Sequence, residues 1–187
     1  WLDQNEINLI KKYDVKVSHN PCSNLKLASG AAPIGELLKQ NICVGLGTDG
    51  ASSNNNLDMF DEMKFAALLQ KVSTLNPKLA TSDEVINMAT CNGARALGID
   101  AGAIEVGKKA DIILVDTNQP NMTPMSNALS SNLVYSANGS NVDTTICNGK
   151  VLMEGRKLLT VDEGLVLSEA KRAIAEMKEL KEAESEE

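Results

Sequence analysis

One aspartate, Asp49, stands where parallel α/β proteins carry their chemistry. It follows the apolar run 42–46 (ICVGL), and the carboxyl ends of strands in such sheets and barrels are where substrates and metals bind. Gly47 and Gly50 flank the pair Thr48–Asp49, and glycine lets the backbone turn sharply enough to aim a short carboxylate into a cavity. Asp-Gly is also a common turn pair. These residues alone support a functional carboxylate and a simple turn equally.

His19 is the only histidine of the sequence, and it follows a second predicted strand over 14–17. A hydrolytic zinc site of the common kind takes three protein ligands, mostly histidines, so this chain cannot complete one alone. A lone histidine is more often a hydrogen-bonded structural residue than a ligand, but a strand end favours a functional role. Pro21, Ser23 and Asn24 indicate a fixed loop beside it, which either supplies hydrogen-bond donors or simply caps a turn.

Two other kinds of chemistry find less support. Cys22 lies three residues from His19, but no third group that would orient a nucleophile is apparent, and buried thiols are common. The glycines of 45–50 lack a following Lys-Ser/Thr pair and the dinucleotide spacing, which excludes a phosphate-binding loop. The four cysteines lie far apart without a C-x-x-C pair, so we expect reduced thiols and neither a zinc knuckle nor a disulfide scaffold.

Alternating helices and strands are predicted to position Asp49 and His19. Their order is helix 6–12, strand 14–17, helix 32–40, strand 42–46 and helix 57–73. The second strand is apolar on both faces, as in a parallel sheet covered by helices, so the predicted fold class is α/β with a parallel sheet or barrel. Because a crossover connection places consecutive parallel strands side by side, we expect both residues at the same rim of the sheet.

The rest of the chain is first helical and then rich in β-structure. Asp58, Asp61 and Glu62 crowd the first turns of helix 57–73, where the helix dipole favours anions. The further predicted elements are a helix from the capping box at Thr81–Glu84 to Gly98, a strand over 110–116, an irregular connection over 117–140, a hairpin of 143–147 and 150–154 around a type I′ turn at Asn148–Gly149, and an acidic amphipathic helix over 161–181 with a charged tail. We interpret the two helices within 57–98 as packing elements.

Composition narrows the class of protein. With 187 residues, 43% hydrophobic and 23% charged, the chain can bury a core and is not disordered over its whole length. The net charge of −7 and the 3% aromatic content disfavour nucleic acid as a partner. No window approaches the ~18 apolar residues of a membrane helix, and no leader opens the chain. We therefore expect a soluble, cytoplasmic protein that contacts no membrane, and because residue 1 is Trp1, we expect residues upstream of it.

Several motifs in a fixed order carry a resemblance to a known family. They are 18–27 (SHNPCSNLKL), 45–50 (GLGTDG) with 53–58 (SNNNLD), 107–116 (GKKADIILVD), and the stretches 134–137 and 142–150. Together they resemble the C-terminal part of the amidohydrolase superfamily up to about Leu158. Within it, the sequence is most similar to the 5-methylthioadenosine/S-adenosylhomocysteine deaminase group, with chlorohydrolase-like enzymes and guanine deaminases nearby.

The resemblance implies a distorted (β/α)8 barrel of a metal-dependent hydrolase, joined to a small β-sandwich domain. Residues 1–100 are then the C-terminal part of the barrel, with its last two strands and the following helices. Residues 101–160 are the C-terminal part of the sandwich, and 161–187 form an acidic helix and tail. The chain is thus expected to be a piece of a longer protein, and its oligomeric state stays open, a homo-oligomer included.

The resemblance also assigns roles to the two candidate residues. Asp49 corresponds to the aspartate after the eighth barrel strand, which binds the metal, contacts the substrate and acts in catalysis, and His19 lines the substrate pocket after the seventh strand. The implied reaction is hydrolytic deamination of a small purine nucleoside, in which a divalent metal, usually Zn²⁺, activates water and Asp49 accepts its proton. The family's H-x-H motif, its further histidines and its catalytic glutamate have no counterpart here. Two alternatives therefore stay open. The protein has a different amidohydrolase activity, or the chain is a catalytically inert segment that needs a complementary chain.

Overall fold

The computed structural model describes residues 1–125 and 127–185. The helices are α1 (Gln4–Lys12), α2 (Pro21–Lys26), α3 (Ile34–Lys39), α4 (Met59–Thr74), α5 (Ser82–Ala89), α6 (Cys91–Leu97), α7 (Leu129–Tyr135) and α8 (Glu163–Ser185). The strands are β1 (Val17–His19), β2 (Val44–Leu46), β3 (Ile112–Val115), β4 (Val142–Cys147), β5 (Lys150–Glu154) and β6 (Lys157–Leu158). Short 3₁₀ turns cover Pro120–Met122 and Gly139–Asn141. The α/β content agrees with the predicted fold class.

The first sheet is a parallel pair of short strands. β1 and β2 lie side by side, with Val17 opposite Val44 and His19 opposite Leu46. Their carboxyl ends therefore face the same edge, as the sequence predicts. The first strand lies later than the predicted 14–17, because Asp14 adopts a left-handed backbone (φ 50°) and the N–H of Val15 turns back to the carbonyl of Ile10, which ends α1 there.

The core lies around β2 and the helices that cover it. Its fully buried members include Ile34 and Leu37 of α3, Val44 of β2, and Val85 and Met88 of α5. This agrees with the expectation from the apolar run that the second strand is buried on both faces. α4 contributes the buried alanines Ala66 and Ala67 to this core, and their small side chains let the helix pack closely against it.

The segment 117–140 is not merely the irregular surface connection that its Asn, Ser and Pro content predicts. It contains α7, and it contributes Met122 and Val134, both 0% exposed, to the core shared with α4 and α5. The segment is also tied to α4, since the N–H of Gly139 donates to the Asp58 carboxylate at 2.6 Å. Side chains of Asn121 and Asn132 donate hydrogen bonds to backbone carbonyls of this segment. The many asparagines that predict a loop here therefore belong to an ordered segment that contains α7.

The single helix predicted from Thr81 to Gly98 is interrupted. The capping box of α5 forms as predicted, but Thr90 leaves helical geometry (φ −124°, ψ −93°) and its hydroxyl donates to the carbonyl of Ile86 at 2.7 Å. The break turns α6 toward β2, where the Asn92 side chain donates to the carbonyl of Val44 at 3.0 Å.

The second sheet is antiparallel in the order β3-β4-β5-β6. Asn148 and Gly149 both have positive φ between β4 and β5, which confirms the predicted hairpin turn. α8 follows the sheet, and every residue of it whose burial is described is exposed. Within the described part of the chain, no helix is both long and apolar enough to cross a bilayer.

Candidate active site

Asp49 lies just beyond β2 in an unusual backbone conformation. Its φ is 62°, in the left-handed region that aspartate enters more readily than most residues. The sequence suggested that the flanking glycines would make this turn, but the positive φ falls on Asp49 itself. Gly47 is needed for a different reason, since a Cβ there would come within 2.5 Å of the Asn20 side-chain oxygen. The loops that follow β1 and β2 therefore touch.

Hydrogen bonds hold the Asp49 carboxylate in a defined orientation. Its Oδ2 accepts from the Ser23 hydroxyl at 2.7 Å, and its Oδ1 accepts from the N–H of Gly50, also at 2.7 Å. These two bonds, with the Ser23 hydroxyl contributing most, lower the pKa of Asp49. The carboxylate is solvent-exposed and ionised at neutral pH, so it is available to a cation or a proton.

Ser23 is positioned by a short helix that the sequence reading took for a loop. α2 begins at Pro21, a residue that suits the first helical position because its missing N–H needs no partner there. Ser23 is 3% exposed, and its hydroxyl faces Asp49 across the gap between the two strand ends. The proline was the available sequence signal for this helix, but nothing in the sequence paired Ser23 with Asp49.

A buried carboxylate, Glu62, lies beneath these loops. It is 0% exposed, and its oxygens accept from the Asn54 side chain at 2.7 Å and from the N–H of Cys22 at 3.2 Å. Burial, as the largest effect, raises the pKa of Glu62. The sequence reading placed Glu62 only in the charged first turns of α4, because a helix position by itself does not reveal a long-range partner.

Cys22 is not a nucleophile in this setting. Burial, followed by the nearby Glu62 carboxylate, raises the pKa of the Cys22 thiol to about 12. A thiol with that pKa stays protonated at neutral pH and reacts slowly. The structure thus agrees with the low weight given to a cysteine mechanism.

His19 ends β1 and is 2% exposed. Burial lowers its pKa to about 4, so the imidazole is neutral at physiological pH. Its Nε2 is buried and has no hydrogen-bond partner among the described residues. Because a buried polar atom without a partner is costly, this nitrogen is a site for a further hydrogen bond.

Asp49 fits a divalent cation as one ligand, because it offers an ionised, oriented and exposed carboxylate. Among residues 1–125 and 127–185, no three His, Cys, Asp or Glu side chains are grouped as a metal site. The described residues thus offer one exposed carboxylate with its hydrogen-bonded support rather than a complete metal site.

Comparisons with known proteins find related sequences and a similar fold. The profile described as the Amidohydrolase family matches residues 1–152. Over 181 residues the chain is 62% identical to a 5′-deoxyadenosine deaminase of Methanobrevibacter smithii, covering 96% of this chain and 42% of the relative. It is 54% identical to a 5-methylthioadenosine/S-adenosylhomocysteine deaminase of Thermococcus onnurineus, covering 95% and 42%. A crystal structure of an adenosine deaminase from Xanthomonas campestris with bound zinc superposes with a TM-score of 0.91 at 36% identity, covering 95% of this chain and 40% of that one. The chain thus spans about two fifths of the length of these relatives.

Proposed function

Since the chain belongs to the amidohydrolase family, we propose that it is the C-terminal part of a metal-dependent hydrolase that removes the amino group of adenosine-type nucleosides as ammonia. The names of its relatives point to 5′-deoxyadenosine, 5-methylthioadenosine and S-adenosylhomocysteine as the substrate class. The observation that carries the proposal is the oriented carboxylate of Asp49 at the shared edge of two parallel strands.

In this proposal, β1 and β2 are the last two strands of a (β/α)8 barrel, and residues 1–100 form that part of it. The sheet β3–β6 within 101–160 belongs to a small β-sandwich domain, and 161–187 form the terminal helix and tail. The parallel pairing of β1 with β2 and the separate antiparallel sheet support this division.

Asp49 would hold the metal through one carboxylate oxygen. A divalent metal, zinc by likeness to the relatives, supplies Lewis-acid activation of water when bound. The second oxygen of Asp49 would accept a proton from the water that attacks the purine carbon and would return this proton to the amino group that leaves as ammonia. The Ser23 hydroxyl keeps this carboxylate in one orientation and favours its ionised form before the substrate arrives.

His19 would contact the substrate. Its imidazole is buried and neutral, and Nε2 lacks a partner among the described residues. A neutral imidazole nitrogen donates or accepts one hydrogen bond depending on its tautomer. Such a group recognises a nucleoside without placing a charge beside the purine ring.

The function is tested in a chimera that joins residues 1–187 to the region of the Methanobrevibacter smithii deaminase that they do not match. We expect the chimera to bind zinc and to release ammonia from 5′-deoxyadenosine, 5-methylthioadenosine or S-adenosylhomocysteine, measured by a coupled ammonia assay. The chain of residues 1–187 alone is expected to bind zinc weakly and to deaminate nothing, because Asp49 supplies only one strong ligand.

Two results would contradict the proposal. A folded, zinc-loaded chimera that releases no ammonia from any of the three nucleosides would show that the substrate class is wrong. Micromolar zinc affinity or ammonia release by residues 1–187 alone would show that the site is completed within this chain.

A further inference from the structure

We propose that Glu62 is a positioning residue for Asp49, acting through α2 and the loop after β2, which bring Ser23 and Asp49 together; this inference rests on the proposed function of Asp49. Glu62 lies on α4 and does not itself touch the Asp49 carboxylate through any described hydrogen bond. Its hydrogen bonds with Asn54 and with the backbone N–H of Cys22 reach the loop after β2 and α2, respectively.

The first hydrogen bond reaches the loop that carries Asp49. Glu62 Oε1 accepts from Asn54 Nδ2 at 2.7 Å, and the same Asn54 nitrogen donates to the carbonyl oxygen of Thr48 at 2.9 Å. Asn54 is 5% exposed, so these contacts are sheltered from water. Glu62 thereby orients the amide that holds the residue immediately before Asp49.

The second hydrogen bond reaches α2. Glu62 Oε2 accepts from the backbone N–H of Cys22 at 3.2 Å. The next residue is Ser23, whose hydroxyl donates to Asp49 at 2.7 Å. Fixing the backbone at Cys22 therefore fixes where the Ser23 hydroxyl sits, and the two hydrogen bonds of Glu62 converge on the same contact.

A carboxylate suits position 62 better than an amide, because the described residues place only hydrogen-bond donors around its head group. Three donors face the Glu62 head group, namely the Asn54 amide, the backbone N–H of Cys22 and the Cys22 thiol, and a carboxylate is acceptor-only at both oxygens. Glutamine would present its NH₂ group to one of these donors and lose that bond. Burying a carboxylate among neutral donors lowers the stability of the fold. The left-handed backbone of Asp49 persists only where its surroundings hold it. We infer that Glu62 is kept at this cost because it holds the surroundings of Asp49.

The first test measures amide hydrogen exchange of Gly50 by NMR in the folded chimera. The N–H of Gly50 donates to Asp49 Oδ1, so it reports the orientation of the carboxylate without relying on any activity. We expect Glu62→Gln to speed this exchange by about tenfold, the factor expected for loss of one hydrogen bond to a charged group. Asn54→Ala, which keeps Glu62 and removes the first connection together with the hydrogen bond that Asn54 accepts from the N–H of Asn56, should act in the same direction.

Gln70→Leu is the matched control. Gln70 is also on α4, eight residues beyond Glu62, is 1% exposed, and donates to the carbonyl of Ala32 at 2.8 Å. It should change stability without changing the exchange of Gly50. Unchanged Gly50 exchange in both Glu62→Gln and Asn54→Ala would overturn the proposal, because the loops would then hold Asp49 without Glu62.

The second test is made in the chimera, where zinc affinity is measured by chelator competition together with kcat and KM. Loss of a residue that supports a metal ligand typically costs 10–100-fold in metal affinity or activity. We expect Glu62→Gln to weaken zinc binding and lower kcat within that range, with KM little changed, relative to Gln70→Leu. Equal zinc affinity and kcat in the two variants would overturn the positioning role, whereas an inactive wild-type chimera would count against the proposed function alone.

Discussion

Replacing Asp49 with asparagine tests whether Asp49 acts as a catalytic carboxylate or only as a turn residue. The change keeps the size of the side chain, and asparagine enters the left-handed region about as readily as aspartate, so the φ of 62° is tolerated. The amide oxygen can still accept from the N–H of Gly50. The amide NH₂ then meets the Ser23 hydroxyl, whose oxygen can turn to accept from it.

What Asp49→Asn removes is the negative charge and the ability to take a proton. General-base catalysis is typically worth ~10²–10⁴ in rate, and loss of an anionic ligand adds to this by weakening metal binding. We therefore expect kcat of the chimera to fall by at least ~10²-fold, with reduced zinc content and with a melting temperature equal to that of the wild type when both proteins are stripped of metal.

Asp14→Asn is the matched control for this variant. Asp14 is also an exposed aspartate with a left-handed backbone (φ 50°), and it pairs with Lys16 near the opposite end of β1. It should leave kcat and zinc content unchanged. Near wild-type turnover of Asp49→Asn, with zinc retained, would refute the assignment and leave Asp49 as a turn residue, since Asn-Gly serves such turns as well as Asp-Gly.

Three further predictions concern groups around the site. Ser23→Ala should raise the pKa of Asp49, because the Ser23 hydroxyl is the main cause of its lowering, and an NMR titration of the metal-free protein should show the Asp49 carboxylate titrating at higher pH than in the wild type. At pH 8 iodoacetamide should label the exposed Cys91 much faster than Cys22, whose pKa of about 12 keeps it a thiol; equal labelling by mass spectrometry would contradict this. Burial lowers the pKa of His19 from 6.5 to about 4. His19 therefore takes up a proton near pH 6.5 in the unfolded chain but only near pH 4 in the folded one, so the free energy of unfolding should fall as the pH drops from 6.5 to about 4. A His19 that titrates by NMR near pH 6.5 would be inconsistent with its burial.

The sequence predicts where Asp49 and His19 lie, but not the hydrogen bonds of Ser23 and Glu62 that surround Asp49. The apolar run before Asp49 indicates a strand buried on both faces, and the pattern around His19 indicates a second strand beside it, so their common edge follows from the topology of parallel sheets. The roles of the two residues stay predictions that rest on family resemblance. Ser23 and Glu62 contact residues 26 and 40 positions away, and such distant hydrogen bonds have no local periodicity to reveal them.

The elements of the fold divide in the same way. Local chemistry predicts the Thr81 capping box and the Asn148–Gly149 hairpin, because each depends on a few neighbouring residues. The break at Thr90 depends instead on contacts with β2, which override the helical pattern of that stretch. The sequence does not reveal α7, because the helix has only seven residues, lies within a segment rich in Asn, Ser and Pro, and buries Val134 alone.

The contact between Asp58 and Gly139 has a consequence for how the molecule opens. Asp58 caps the start of α4 through the N–H of Phe60 and also accepts from Gly139, so the segment that leads into the antiparallel sheet and the helix that carries Glu62 share a cooperative unit. The sheet itself buries little, with Thr144 at 8% exposure its most buried residue. In terms of local unfolding, the hairpins can open while the loops around Asp49 stay closed, but α4 cannot fray at its start without releasing the segment before β4.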